Sequence, residues 1–133
     1  SDARSNPSAD IFICDSLAHR RFAYALRDYL RERGYTVFLS DSESSDSDTA
    51  EFERSIFKAL DDARVLIVIA LEFDDLKSGW LDFEWRSFQG ELISRRKNGA
   101  IVTVLGDLNI DQLPLPLRSC LCISCDSRAP ERA

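Results

Sequence analysis

The chain has 133 residues, of which 44% are hydrophobic, and its 17 basic and 23 acidic residues give a formal net charge of −6. A chain of this length buries about two thirds of its unfolded surface in one core, so it can fold without a metal or disulfides. The composition excludes collagen, coiled coil and general disorder, and no apolar run approaches the roughly 18 residues of a membrane span.

Short apolar runs alternate along the chain with stretches of helical spacing, and this alternation predicts a parallel sheet covered by helices. The runs are continuous rather than alternating apolar and polar, as expected of strands buried on both faces. The five predicted strands are Ile11 to Cys14, Tyr35 to Leu39, Val65 to Leu71, Ala100 to Leu105 and Cys120 to Ser124.

At least three helices are predicted between these strands. The first has Asp15 or Ser16 as its N-cap and ends at Gly34. The third begins with Ser78 as its N-cap and runs to Asn98 and Gly99. The second helix is expected to turn to the core a face made of Phe52, Ile56, Phe57 and Leu60. Two prolines between the last two strands predict a loop with a short turn there.

Three segments follow from the same pattern: a leader or linker over 1–9, one domain over 10–125 and a flexible tail over 126–133. Residues 40–53 hold six acidic and no basic residues, which leaves 23 − 6 = 17 acidic residues against 17 basic ones elsewhere. Because the rest of the domain is balanced, no broad basic face is expected, and nucleic acid is excluded as a partner.

Four cysteines raise the question of a metal or disulfide site. Cys120 and Cys122 lie two residues apart on one predicted strand, which is poor geometry for a bridge between them. We therefore expect buried thiols in a reducing cytoplasm and no metal site. The alternative is a zinc site built from the late cysteines, with Cys14 or His19 as a further ligand.

Ligands of an open parallel sheet bind beyond the carboxyl ends of its strands, so the loops there should carry the chemistry. None of the 5 glycines has a nucleotide-loop spacing, which excludes Rossmann and P-loop sites. A serine triad would need His19 and a glycine-flanked serine elbow that the chain lacks. A receiver domain needs an acidic pair after its first strand, an aspartate at the end of its third and a lysine at the end of its fifth. The chain lacks these residues at those positions, which excludes a receiver domain.

The segment SGWLDFEWRSF, residues 78–88, is the remaining candidate. Trp80 and Glu84 are four residues apart, so a helix places them on one face, close to its start. The helix dipole favours an anion there. The same spacing is compatible with Trp80, Trp85 and Phe88 as core residues and Glu84 as an ordinary solvated acid.

The order DIFICDS, YTVFLSD, SIFKALDDARVLIVIA and SGWLDFE resembles the Toll/interleukin-1 receptor (TIR) domain family over about residues 10–125. The resemblance implies a flavodoxin-like α/β fold, with a five-stranded parallel sheet and helices on both faces. The family has a Ser-x-Trp-x-x-x-Glu segment after the third strand, matched here by Ser78, Trp80 and Glu84. Members with this glutamate include bacterial enzymes that cleave NAD+, and the third helix looks closest to those.

The resemblance therefore implies an NAD+ nucleosidase with Glu84 as its single catalytic carboxylate and NAD+ as substrate rather than cofactor. It releases nicotinamide together with ADP-ribose or a cyclic ADP-ribose. No separate cofactor and no metal are expected. The residues that would face the nucleotide are Trp80, Ser78, Asp15, Ser16, Phe38 and Asp41.

The resemblance also implies bacterial immune signalling in the cytoplasm, activation by self-association with other TIR domains, and a fused or cooperating sensor or effector domain. The alternatives are a non-catalytic module for TIR-TIR interaction and an enzyme like the nucleoside deoxyribosyltransferases. The chain departs from the family in its glycine-free acidic segment 40–53. It also has Glu72 and Asp75 where many members have serine and tyrosine, so we expect Arg20, Arg21 or a neighbouring subunit to supply a compensating cation.

Overall fold

The computed structural model describes residues 10–16, 18–39, 49–96, 98–118 and 120–124. Its strands are β1 Ile11–Cys14, β2 Val37–Leu39, β3 Val65–Ala70, β4 Ala100–Leu105 and β5 Leu121–Ser124. All neighbouring strands are parallel and form one sheet in the order β2-β1-β3-β4-β5. The five-stranded parallel sheet predicted from the sequence is thus confirmed.

Helices cover both faces of this sheet. In the described part of the chain, the α-helices are α1 Arg20–Glu32, α2 Thr49–Asp62, α3 Gly79–Ile93 and α4 Leu115–Arg118, and 3₁₀ helices span Phe73–Lys77 and Ile110–Gln112. Helix α1 packs on one face, and α2, α3 and α4 contribute to the core on the other. This arrangement is the flavodoxin-like fold expected from the sequence.

The two cores follow from the alternation of side chains along each strand. On β1, Phe12 and Cys14 point toward α2 and α3, whereas Ile11 and Ile13 point toward α1. All four are at most 7% exposed. A strand with both faces buried needs apolar residues at every position, and this need explains the continuous apolar runs in the sequence.

The start of α1 differs from the prediction. The helix begins at Arg20 with His19 as its N-cap, four residues after Asp15 and three after Ser16, the predicted caps. Asp15 and Ser16 do not cap it because each binds a side chain elsewhere, Arg20 and Asp75 respectively. The predicted end is confirmed, since Gly34 follows the C-cap with a φ of 95°, which only glycine adopts readily.

Other boundaries also differ. Strand β2 is two residues shorter than predicted, β3 and β5 are each one residue shorter, and α3 ends at Ile93 rather than near Gly99. In α2, Ile56 and Leu60 are buried as expected, but Phe57 is 49% exposed. Phe57 is therefore wrongly placed in the predicted core face. The loop before β5 holds only a 3₁₀ turn and the four-residue α4, as its prolines predict.

Terminal segments 1–9 and 126–133 and the acidic residues 40–48 lie outside the described residues. Within the described ranges, no helix has both the length and the apolarity to cross a membrane.

Candidate active site

The strand order places a topological switch point between β1 and β3. The chain leaves β1 toward β2 on one side and leaves β3 toward β4 on the other, so the two loops diverge and leave a crevice. The residues after β1 and those after β3 border this crevice. It is the place where open α/β sheets of this order bind ligands.

Asp75 joins the two loops across this crevice. Its Oδ1 accepts a hydrogen bond from the Ser16 hydroxyl at 2.7 Å, and its Oδ2 lies 3.0 Å from Nε2 of His19. The same Oδ2 accepts from the backbone N–H groups of Leu71 at 2.9 Å and Glu72 at 3.0 Å. Because a carboxylate oxygen only accepts, Nε2 of His19 carries the hydrogen in this contact. Asp75 is 2% exposed and fastens the loop after β1 to the loop after β3.

Asp15 is the second buried acid of the crevice. Its Oδ1 accepts from Nη1 of Arg20 at 3.2 Å, and its side chain is 0% exposed against 14% for that of Arg20. Arg20 thus pairs with Asp15. One of the cations expected to compensate the charges of Glu72 and Asp75 is therefore already engaged by another acid. Arg21 is exposed one residue further along α1.

Glu84 is fully buried, at 0% exposure, on the inward face of α3. It lies beside Cys14, the last residue of β1. Burial raises the pKa of the Cys14 thiol well above its ordinary value, and the charge of Glu84 and a hydrogen bond with it raise this pKa further, as does Asp15. The single thiol proton is directed either to Glu84 or to the Leu81 carbonyl oxygen 3.6 Å away.

The burial of residues on α3 tests the structural alternative that its sequence spacing left open. Trp85 and Phe88 are core residues at 1% exposure each, as that alternative predicts. Glu84 as an ordinary solvated acid is wrong, because a carboxylate at 0% exposure has left water entirely. Such a position is costly for a charge and is seldom kept without a role.

The remaining predicted site residues are distributed as follows. Ser78 caps α3, and its hydroxyl accepts from the Leu81 N–H at 3.2 Å. Phe38 stacks on Phe12 at 5.2 Å between ring centroids, on the sheet face that also packs α3. Trp80 belongs to the first turn of α3, but its side chain lies outside what the structure describes, as does Asp41 altogether.

Glu84 has no solvent-exposed surface in this conformation. Four of the cavities on the described part of the chain, of about 170, 320, 460 and 370 Å³, have linings that do not include Glu84. Asp15 and Glu84 both influence the Cys14 thiol, so the end of β1 brings these two acids near each other. A ligand can contact Glu84 only if the residues packed around it move.

Cysteines are not gathered into a metal site within the residues that the structure describes, where no three potential ligands cluster. Cys14 on β1 is separated by β3 and β4 from Cys120 and Cys122, a span of about 14 Å at the usual strand spacing. All three are free thiols. This separation excludes a zinc site that combines Cys14 with that pair.

Sequence reasoning missed Asp75 and His19 as the residues that hold the crevice shut. Glu72 and Asp75 have the three-residue spacing of a helix start, which is the signal that was available. The contacts of Asp75 with Ser16 and His19 join residues that are 59 and 56 positions apart in the sequence, so no local sequence pattern predicts them.

Comparison with known families gives a match over nearly the whole chain. A family model described as TIR domain matches residues 11–133. No curated protein matches.

Several solved structures share the fold. The TIR domain of the Toll-related receptor TRR-2 from Hydra magnipapillata is 19% identical with a TM-score of 0.64, over 93% of this chain and 90% of that one. The TIR domains of the activated Roq1 resistosome are 21% identical with a TM-score of 0.61, over 78% of this chain and 61% of that one. A metazoan TIR-STING receptor from C. gigas is 23% identical with a TM-score of 0.63, over 93% of this chain. The chain spans only 38% of that receptor's length.

Proposed function

The chain is a member of the TIR domain family, and on that premise we propose that it cleaves NAD+ at the bond between nicotinamide and ribose, with Glu84 as the catalytic carboxylate. The observation that carries this proposal is the full burial of Glu84 beside the last residue of β1, at the switch-point crevice. The Ser78, Trp80 and Glu84 pattern in the family's order supports it.

The chemistry needs only one carboxylate. Nicotinamide in NAD+ is a cationic pyridinium, so it takes the bonding electron pair and leaves as a neutral molecule without a general acid. Ordinary glycosides need a second carboxyl group for that step. The ribose becomes an oxocarbenium ion, and a carboxylate in a site without water stabilises this charge strongly. Water then adds to the ribose carbon and loses a proton to solvent, giving ADP-ribose. Attack by another nucleophilic atom of the same molecule gives a cyclic product instead.

The closed crevice has a consequence for regulation. Since Glu84 is 0% exposed, NAD+ can reach it only after surrounding residues move, and we propose that the contact between Ser16 and Asp75 opens in this movement. We propose that contacts between copies of the domain drive this opening, so that isolated copies have low activity. The Roq1 resistosome shows that TIR domains of this fold occur in assemblies.

The setting is proposed from the resemblance rather than from the site. The resemblance of the sequence to NAD-cleaving bacterial members of the family supports a role in immune signalling in a bacterial cytoplasm. In that role the domain would act together with a sensor or effector domain. A non-catalytic interaction module is the second candidate, and the acidic, glycine-free sequence of residues 40–53 is the observation that favours it.

The deciding experiment measures nicotinamide release from NAD+ by the purified chain, dilute and clustered on beads. Glu84→Gln should reduce release by about 100-fold or more. Glu32→Gln, at an exposed position at the end of α1, is the matched control and should keep full activity. The enzyme proposal fails if the clustered chain releases no nicotinamide, or if Glu84→Gln is as active as the control while both remain folded. In those cases the interaction module is the better account.

A further inference from the structure

The solvent face of α3 is unusual for a surface helix. Among the α3 residues whose side chains the structure describes, the exposed ones are Gly79, Phe83, Arg86, Gly90 and Ile93, with Phe83 40% and Ile93 72% exposed. The steps between them are four, three, four and three residues, which is the spacing of a coiled-coil seam. A solvated helix face normally carries charged residues at these positions, and here only Arg86 is charged. We call these five residues the α3 seam.

The residue spacing of the α3 seam from Phe83 onward is the same in both chain directions, so two antiparallel copies of it can face each other. Between Phe83 and Ile93 the steps are three, four and three, so the pattern is symmetric about its centre. We propose that α3 packs antiparallel against α3 of a second copy of this chain, about a two-fold axis at the middle of the seam. Phe83 then meets Ile93 of the second copy, and Arg86 meets its Gly90.

The small residue in the seam fits this pairing. A Cβ built on Gly90 would have no atom within 4 Å, so its backbone is open to a long side chain from the other copy. Arg86 already projects in a defined direction, because it binds Asp82 at 2.8 Å and lies over the Trp85 ring at 4.7 Å. In the pair it also approaches Glu91 of the second copy, which adds charge complementarity.

Neighbouring helices extend the seam at both ends. Phe57 of α2 contacts Phe83, with their ring centroids 5.9 Å apart, and it is 49% exposed. At the other end, Ile93 and Leu115 of α4 line an apolar groove of about 460 Å³. About 15 Å of helix separates Phe83 from Ile93. A two-fold axis between them brings the aromatic pair of each copy to the groove of the other.

This surface specifies the self-association proposed above and therefore rests on that part of the proposed function, but it is independent of the chemistry. Glu84 points into the core, whereas the α3 seam points to solvent on the same helix. Association and nicotinamide release can thus be measured separately on the same samples.

Sedimentation equilibrium of the full chain, with Phe83→Glu and Ile93→Lys as single variants, tests the inference. Each variant should raise the dissociation constant of the dimer about 10-fold or more, since each breaks both symmetric contacts. An equimolar mixture should recover a dimer, because the introduced carboxylate and ammonium then face each other while the second contact is native. Phe73→Glu, which changes an aromatic residue of 48% exposure outside α3, is the control.

The outcomes separate the proposals. If the wild-type chain associates but the α3 variants associate equally well, this surface is wrong and the proposed self-association stands. Loss in both single variants without recovery in the mixture refutes the antiparallel register. A wild-type chain that stays monomeric at millimolar concentration refutes both the surface and the self-association, while nicotinamide release from bead-clustered chain still tests the activity. Glu84→Gln should dimerise like the wild type.

Discussion

Ser16 and Asp75 are joined by a 2.7 Å hydrogen bond across the crevice between the loops that follow β1 and β3. Both loops belong to the place where the strand order reverses, and Asp75 also holds the backbone of its own loop. The aspartate therefore stabilises this edge of the sheet and links the two loops that border the crevice.

Replacing Asp75 should cost more stability than its position in a loop suggests. Asp75→Ala removes the acceptor of the buried Leu71 N–H and leaves Ser16 and His19 without theirs. We expect the free energy of unfolding to fall by about 3 kcal/mol, measured by urea denaturation. Asp74→Ala, whose side chain is 82% exposed, should change it by no more than about 0.5 kcal/mol. Equal losses in the two variants would show that the hydrogen bonds of Asp75 do not stabilise the fold.

Ser78 should act through the helix that it caps. Ser78→Ala removes the acceptor of the Leu81 N–H and should lower the free energy of unfolding by about 1 kcal/mol. Ser78→Asp should retain it, since aspartate is as good a cap and suits the positive end of the helix. Ser94→Ala, at the other end of α3, is the comparison and should have little effect. Thermal unfolding of the three variants distinguishes them, and an unstable Ser78→Asp would contradict the capping role.

Cys14 should make stability depend on pH in the alkaline range. Its pKa is raised in the folded state above the ordinary value of 9.0, mainly by burial and then by Glu84. Above that pH the unfolded chain loses the thiol proton while the folded chain keeps it, so unfolding becomes more favourable as the pH rises. The slope from this group reaches about 1.4 kcal/mol per pH unit.

Urea denaturation between pH 7 and 10 in reducing buffer measures this effect. Cys14→Ala should flatten the slope above pH 9, whatever packing it loses at neutral pH. Cys120→Ala is the control, because that thiol is only partly buried and its pKa is raised less strongly. If wild type and Cys14→Ala have parallel pH profiles, the buried thiol is not the source of the dependence.

The fold was predictable because its strands are buried on both faces. The predicted limits of β1 and β4 agree with the structure at both ends, since a continuous apolar run flanked by polar residues has one plausible extent. Phe57 shows the limit of this reasoning. Phe57 lies within one helical turn of the buried residues Ile56 and Leu60, so its spacing alone also fits the core face. Only the tertiary packing determines which of these residues face water.

The site was predictable in part for the same reason. Ser78 is recognisable as a cap from the chain next to it, whereas the burial of Glu84 depends on β1, about 70 residues earlier. The late start of α1 has a similar cause. Asp15 and Ser16 are residue types that cap helices well, but their side chains bind Arg20 and Asp75 instead.

The two backbone amides that Asp75 holds are natural reporters of the crevice. The N–H groups of Leu71 and Glu72 both donate to the oxygen that also contacts His19. Exchange of these two hydrogens with deuterated water requires the carboxylate to release them, and movement of this carboxylate also breaks the contact between the two loops of the crevice. Their exchange rates therefore count opening events at the crevice directly, in the absence of any substrate.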